Sequence, residues 1–142
     1  KLSKENIKPS FLFTLSENEK KRINFDKLKS QINIHNYSDS DNRLRFIKKL
    51  QQSKCLFFPS EHETIGLPII EAFNNNLLVA TSNEKYAKQF IKPDILFDCH
   101  SIESVKNSIK KIYLNQIKKK NNKMIKFDNF LKKKFFFKII ND

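Results

Sequence analysis

Residues 55–82 read CLFFPSEHETIGLPIIEAFNNNLLVATS, and this stretch decides the fold. Cys55–Pro59 is an apolar run too short for a helix, so it reads as a buried strand. A polar loop, Ser60–Leu67, follows and contains the chain's single glycine, Gly66. Pro68–Asn75 reads as a helix with proline in its first turn, where the missing N–H costs nothing. Leu77–Thr81 is the next buried strand. Strand, loop, helix, strand is the repeating unit of a parallel α/β sheet.

The same rhythm continues on both sides. Ser10–Ser16 (SFLFTLS) reads as a strand, Glu17–Gln31 as a charged helix, and Ile32–Tyr37 (INIHNY) as an alternating strand. Asn42–Ser53 reads as a helix with Leu44, Ile47 and Leu50 on one face. Beyond the central stretch, Glu84–Ile91 reads as a short helix with Tyr86, Ala87 and Phe90 inward, and Ile95–Asp98 as the last strand. Ser101–Asn115 is amphipathic, with Ile102, Val105, Ile109, Ile112 and Tyr113 on its apolar stripe. Strands alternating with helices predict a Rossmann-like parallel sheet with flanking helices over residues 1–117. Residues 118–142 differ: they are basic and Phe-rich, with Lys118–Lys120, Lys132–Lys134 and Phe135–Phe137. This tail predicts an amphipathic helix docked on a neighbour; the alternatives are a helix lying on an anionic membrane surface and a solvated, frayed end.

Composition narrows the function classes. A chain of 142 residues fits one domain. No apolar run is long enough to span a bilayer, and the polar start KLSKENIKPS is not a signal peptide. The chain opens on Lys1 rather than Met, which reads as a fragment. Cys55 and Cys99 sit at the edges of apolar runs and read as buried free thiols in a reducing, cytoplasmic compartment. No Cys/His cluster has zinc spacing. The net charge of +13 invites a nucleic-acid partner, but only Arg22, Arg43 and Arg45 among the 28 basic residues are arginine. Arginine is the usual reader of bases and phosphates, so no nucleic acid is expected.

The chemistry concentrates in the central stretch. In open α/β sheets ligands bind at the carboxyl edge of the strands. The loop Ser60–Leu67 leaves that edge and enters a helix, whose first N–H groups attract phosphate. Gly66 lets backbone approach a ligand closely. Glu63 and Glu71 lie eight positions apart across the glycine. Glu71 falls in the first helical turn, where a carboxylate suits the dipole and can accept from the vicinal hydroxyls of a ribose. Glu63 can reach a second polyol or carry charge beside a reacting centre. The plainer alternative makes Glu71 a dipole-compensating helix residue and Glu63 a solvated loop charge. His62 stands beside Glu63, within reach of a phosphate or acceptor. His35 reads as a strand residue, His100 as turn filler, and Asp39-Ser40-Asp41 as a capping turn.

The residues around this pair carry a resemblance. Phe58-Pro59-Ser60, Glu63-Thr64-Ile65-Gly66-Leu67-Pro68, Glu71-Ala72 and Val79-Ala80-Thr81-Ser82 resemble the hallmark run of the family 4 glycosyltransferases, the glycosyl transferases group 1, with its Glu-x7-Glu motif. Tyr86-Ala87-Lys88-Gln89 is similar to a downstream loop of that family, with Gln89 where glutamate is usual. The resemblance runs from about Ser10 to Asn115. It implies the donor-binding half of a GT-B fold in a retaining enzyme. Such an enzyme moves a sugar from a nucleotide-diphosphate sugar to a glycan or lipid-linked acceptor, as in bacterial surface polysaccharide synthesis, without a metal or other cofactor. By the same resemblance Glu63 is catalytic, near the reacting centre. Backbone N–H groups of Ile65, Gly66 and Leu67 hold sugar and phosphate, Glu71 binds the ribose, and Ser60 and Thr64 line the mouth. Peripheral attachment at the inner face of the membrane would fit the basic tail.

Two departures qualify what the resemblance implies. The family's glycine and proline after the helix are replaced by Asn76-Leu77-Leu78, which alters a turn. The strand and basic helix start that open the family's donor half, and its acceptor domain, have no counterpart in these residues. In the 3-2-1-4-5-6 order that opening strand is central, so a break is expected between Phe11–Leu15 and Cys55–Pro59. The alternative function is therefore a truncated, non-catalytic remnant or partner-docking module of such an enzyme.

Overall fold

Cys55–Phe58 forms a strand because four consecutive apolar side chains can be buried on both sides of a sheet at once. In the computed structural model, which describes residues 7–27, 34–36 and 43–119, this strand is β3. It follows β1 (Phe11–Phe13), α1 (Glu17–Arg22), β2 (Ile34–Asn36) and α2 (Arg43–Gln51). After it come α3 (Leu67–Asn74), β4 (Leu78–Ser82), a 3-10 turn at Tyr86–Lys88, β5 (Ile95–Phe97) and α4 (Ile102–Tyr113). The tail beyond residue 119, the Asp39-Ser40-Asp41 turn and residues 28–31 of the predicted Glu17–Gln31 helix lie outside the described residues.

All strand pairs are parallel. β1 pairs with β2, Phe11 opposite Ile34. β4 lies between β3 and β5, with Cys55 opposite Leu78 and Ala80 opposite Ile95. The strands thus fall into two sheets, β1-β2 and β3-β4-β5. Among the described residues no pairing joins the first strand to Cys55–Phe58, in line with the expected break.

The three-stranded sheet is covered on both faces, and strand alternation sorts the cover. Leu56, Phe58 and Val79 face a core built with Leu50 of α2, Ile69 and Ala72 of α3, and Tyr86, Ala87 and Ile91. Cys55, Phe57, Ala80, Ile95 and Phe97 face the other way, onto Val105 and Ile112 of α4. Phe57 stacks on Phe97 across β4, ring centroids 4.4 Å apart. Asp94 extends the β4–β5 pairing: its N–H donates to Val79 O, and its carboxylate accepts from Val79 N–H at 2.9 Å.

Several expected faces are corrected. Leu44 is 72% exposed, and α2 docks through Phe46 and Leu50 instead. Ile102, the first residue of α4, is 88% exposed, while Ser108 is buried. Tyr113 is also exposed. The predicted Glu84–Ile91 helix is only the turn Tyr86–Lys88, although Tyr86, Ala87 and Ile91 are buried. Pro93 pushes the preceding residue away from helical backbone, which limits this segment.

Asparagine does the work of glycine at the helix ends. α1, α3 and α4 are each followed by a left-handed Asn: Asn24, Asn76 and Asn115, at φ 51°, 60° and 55°. After α3, Asn76 N–H donates to Phe73 O and Leu77 N–H to Ala72 O, the paired bonds of a Schellman turn. Asn76 therefore keeps the turn that the missing family glycine would make. At the other end of α1, Ser16 and Glu19 cap each other's backbone reciprocally.

Candidate functional site

The parallel order sends the loops after β3, β4 and β5 to one edge of the sheet. The first of these, residues 59–66, is held at both ends. At its start Ser60 O accepts from the Tyr86 hydroxyl at 2.7 Å and from the Ser82 hydroxyl. The two hydroxyls are themselves 2.9 Å apart. Ser60 Oγ donates to His62 O at 3.1 Å, folding the chain back on itself. At its end Gly66 takes φ 63° as the N-cap of α3. A Cβ there would lie 3.1 Å from Ile69 Cδ1 and 3.5 Å from Tyr86 Cδ2. Tyr86 thus contacts both ends of the loop, and its ring packs edge-on against Phe58.

Between these anchors Glu61, His62, Glu63 and Thr64 are exposed. They border an open cleft of about 570 Å³, closed on the other side by Glu84, Lys85, Tyr86 and Gln89 from the segment after β4. Three carboxylates face one lysine in this lining, so the cleft's own charge is acidic.

The α3 amino end differs from the expectation in one respect. Pro68 at the second position has no N–H, and Ile69 N–H donates to Gly66 O at 2.9 Å. The donors are therefore in the turn that enters the helix. Among the described residues, no acceptor takes the N–H of Ile65, Gly66 or Leu67. These three groups are unused donors in the turn that enters α3.

Glu71 is a correction. It lies in the second turn of α3, not the first, and it is only 7% exposed. Its neighbours in the helix, Ile69, Ile70 and Ala72, are buried and apolar. Its position is therefore neither at the helix tip nor at a solvated helix end.

A family model for glycosyl transferases group 1 matches residues 14–128. The chain belongs to this family. No curated protein and no solved structure matches it. The hallmark run of this glycosyltransferase domain is the pinned loop together with α3 and β4. His62, Glu63 and Thr64 meet at the cleft. Ser60, Ile65, Gly66 and Leu67 belong to the same loop and its entry into α3 but are not among the residues lining the cleft, and neither is Glu71.

The hydroxyl network of Ser82 and Tyr86 was not legible in the sequence. Tyr86 reads correctly as inward from its position in the YAKQ segment, but its partner Ser60 O is 26 residues away. Lys85 and Glu84, which face the loop, carried no signal beyond adjacency to that segment.

Proposed function

We propose that this glycosyltransferase domain binds a nucleotide-diphosphate sugar. In our reading it forms the donor side of a retaining enzyme that glycosylates a glycan or lipid-linked acceptor in surface polysaccharide synthesis at the cytoplasmic face of the membrane. The observation that carries the reading is the loop held between Ser60 and Gly66. It presents Glu63 to the cleft next to three N–H groups without protein acceptors, while Glu71 is buried one turn further along α3. In this reading the N–H groups of Ile65, Gly66 and Leu67 receive the sugar and the diphosphate. Glu71 accepts from the ribose hydroxyls. Glu63 stabilises positive charge at the sugar carbon as the leaving diphosphate departs, and the transfer takes no metal. Ser60 and Thr64 shape the mouth, and His62 contributes a hydrogen bond to phosphate or acceptor.

Calorimetric titration of the chain with UDP-glucose, GDP-mannose and ADP-glucose tests this. Saturable heat with one of them, weakened about tenfold or more by Glu71→Ala, supports it. No heat with any of the three, from folded protein, refutes donor binding by this chain. The second reading, a non-catalytic docking module, is favoured by the break between β1 and β3 and by the acidic cleft lining. That reading predicts the silent titration.

A further inference from the structure

The loop after β3 and the loop after β5 meet at the carboxyl edge of the sheet. Their meeting brings together three side chains of metal-binding type. One ligand atom each from Glu61, Cys99 and His100 lie within 4.8 Å of one another. His100 Nδ1 is 3.8 Å from Glu61 Oε1. We propose that these residues hold a zinc-class divalent ion, with water in the fourth position, and so tie the Ser60–Gly66 loop to the end of β5.

Geometry and chemistry both support this assignment. Ligands on a tetrahedral zinc, at about 2.0–2.3 Å from the ion, are about 3.3–3.7 Å from one another. The Glu61 and His100 side chains are more than half exposed, so small rotations bring them to that spacing. Cys99 is the fixed member, packed against the core under α4. The backbone carrying Cys99 and His100 is already rigid. Asp98 Oδ1 accepts from His100 N–H at 2.9 Å, and Ser104 Oγ accepts from Asp98 N–H at 3.0 Å. Ser101 N–H closes the turn onto Asp98 O. A thiolate, an imidazole and a carboxylate form a borderline-soft set that favours zinc, cobalt or nickel over magnesium or calcium. Glu61 also borders the candidate donor cleft, two positions before Glu63. An ion here would give the loop a third anchor.

The inference rests on these ligand positions alone and holds whether or not the cleft binds a sugar nucleotide. The experiment is a Co²⁺ titration of the untagged, reduced chain, followed by optical spectroscopy. The expected result is a thiolate-to-cobalt charge-transfer band in the near ultraviolet that saturates at one equivalent and is displaced by Zn²⁺. Cys99→Ser should abolish the band, and Cys55→Ser should leave it. Glu61→Ala and His100→Ala, both at exposed positions, should each weaken cobalt binding by about tenfold or more. If Cys99→Ser fails to fold, these two variants decide the matter. Absence of the band in wild type, its survival in folded Cys99→Ser, or unchanged affinity in either exposed-site variant would overturn the proposal.

Discussion

Replacing Gly66 with alanine tests the geometry of the site loop most directly. At φ 63° a residue with a Cβ costs about 1–2 kcal/mol relative to glycine. The new methyl would also stand 3.1 Å from Ile69 Cδ1, which must shift by a few tenths of an ångström. Ile69 is 3% exposed and packed in the core, so that shift is not free. Alanine's smaller unfolded-state freedom returns about 0.4–1 kcal/mol. The net expectation is a destabilisation of about 1–2 kcal/mol. Urea unfolding should therefore show a lower midpoint with an unchanged slope, since the surface exposed on unfolding is the same. The packing share can be separated with Ile69→Val, which removes Cδ1. The alanine penalty should shrink in that background, because contacting positions couple. A Gly66→Ala protein within about 0.5 kcal/mol of wild type would refute the left-handed cap and the close packing argued from it.

Three further outcomes are expected. Tyr86→Phe removes the hydroxyl that holds Ser60 O, but the Ser82 hydroxyl still donates to that carbonyl, so no buried acceptor is orphaned. The loss should be about 1 kcal/mol in chemical denaturation, and a loss above about 3 kcal/mol would contradict this sharing. Asn76→Ala should cost about 1 kcal/mol while Asn76→Gly is close to neutral, because only the left-handed backbone is at stake; equal effects in thermal unfolding would exclude that explanation. Burial pushes the Cys55 thiol from its usual 9.0 up to about 12. The folded chain then keeps a proton that the unfolded chain releases. Stability linked to Cys55 is intact below pH 9.0 and is lost as pH rises toward 12. Cys55→Ala should flatten the wild-type decline over that window, and parallel pH profiles would argue against a buried thiol.

Sequence features that act locally were read correctly. Short apolar runs bounded by polar loops marked β3 and β4. Pro68 marked the start of α3; the left-handed backbone of Gly66 at its entry is a finding of the structure. The reciprocal cap of Ser16 and Glu19 was equally local but went unread in a charged segment. Faces were harder. Ile102 and Val105 share a helical stripe, yet Val105 packs against the sheet and Ile102 is exposed. Periodicity assigns a stripe around a helix axis and says nothing about how far along that axis the neighbouring layer extends.

By itself the sequence determined the parallel α/β class, the family and the break before Cys55, because these rest on residue order and short-range patterns. It also placed Glu63 and Gly66 in one loop. Only the tertiary structure decided what that loop is fastened to. Tyr86 and Ser82 converge on Ser60 O across more than twenty residues, and Glu71 is buried in the second turn of α3 rather than set at the helix tip. Glu61 meets Cys99 and His100 because β4 separates their strands by one position while the parallel order sends both loops to the same edge. Such meetings depend on strand order and on where helices dock, and neither is written in the spacing of residues along the chain.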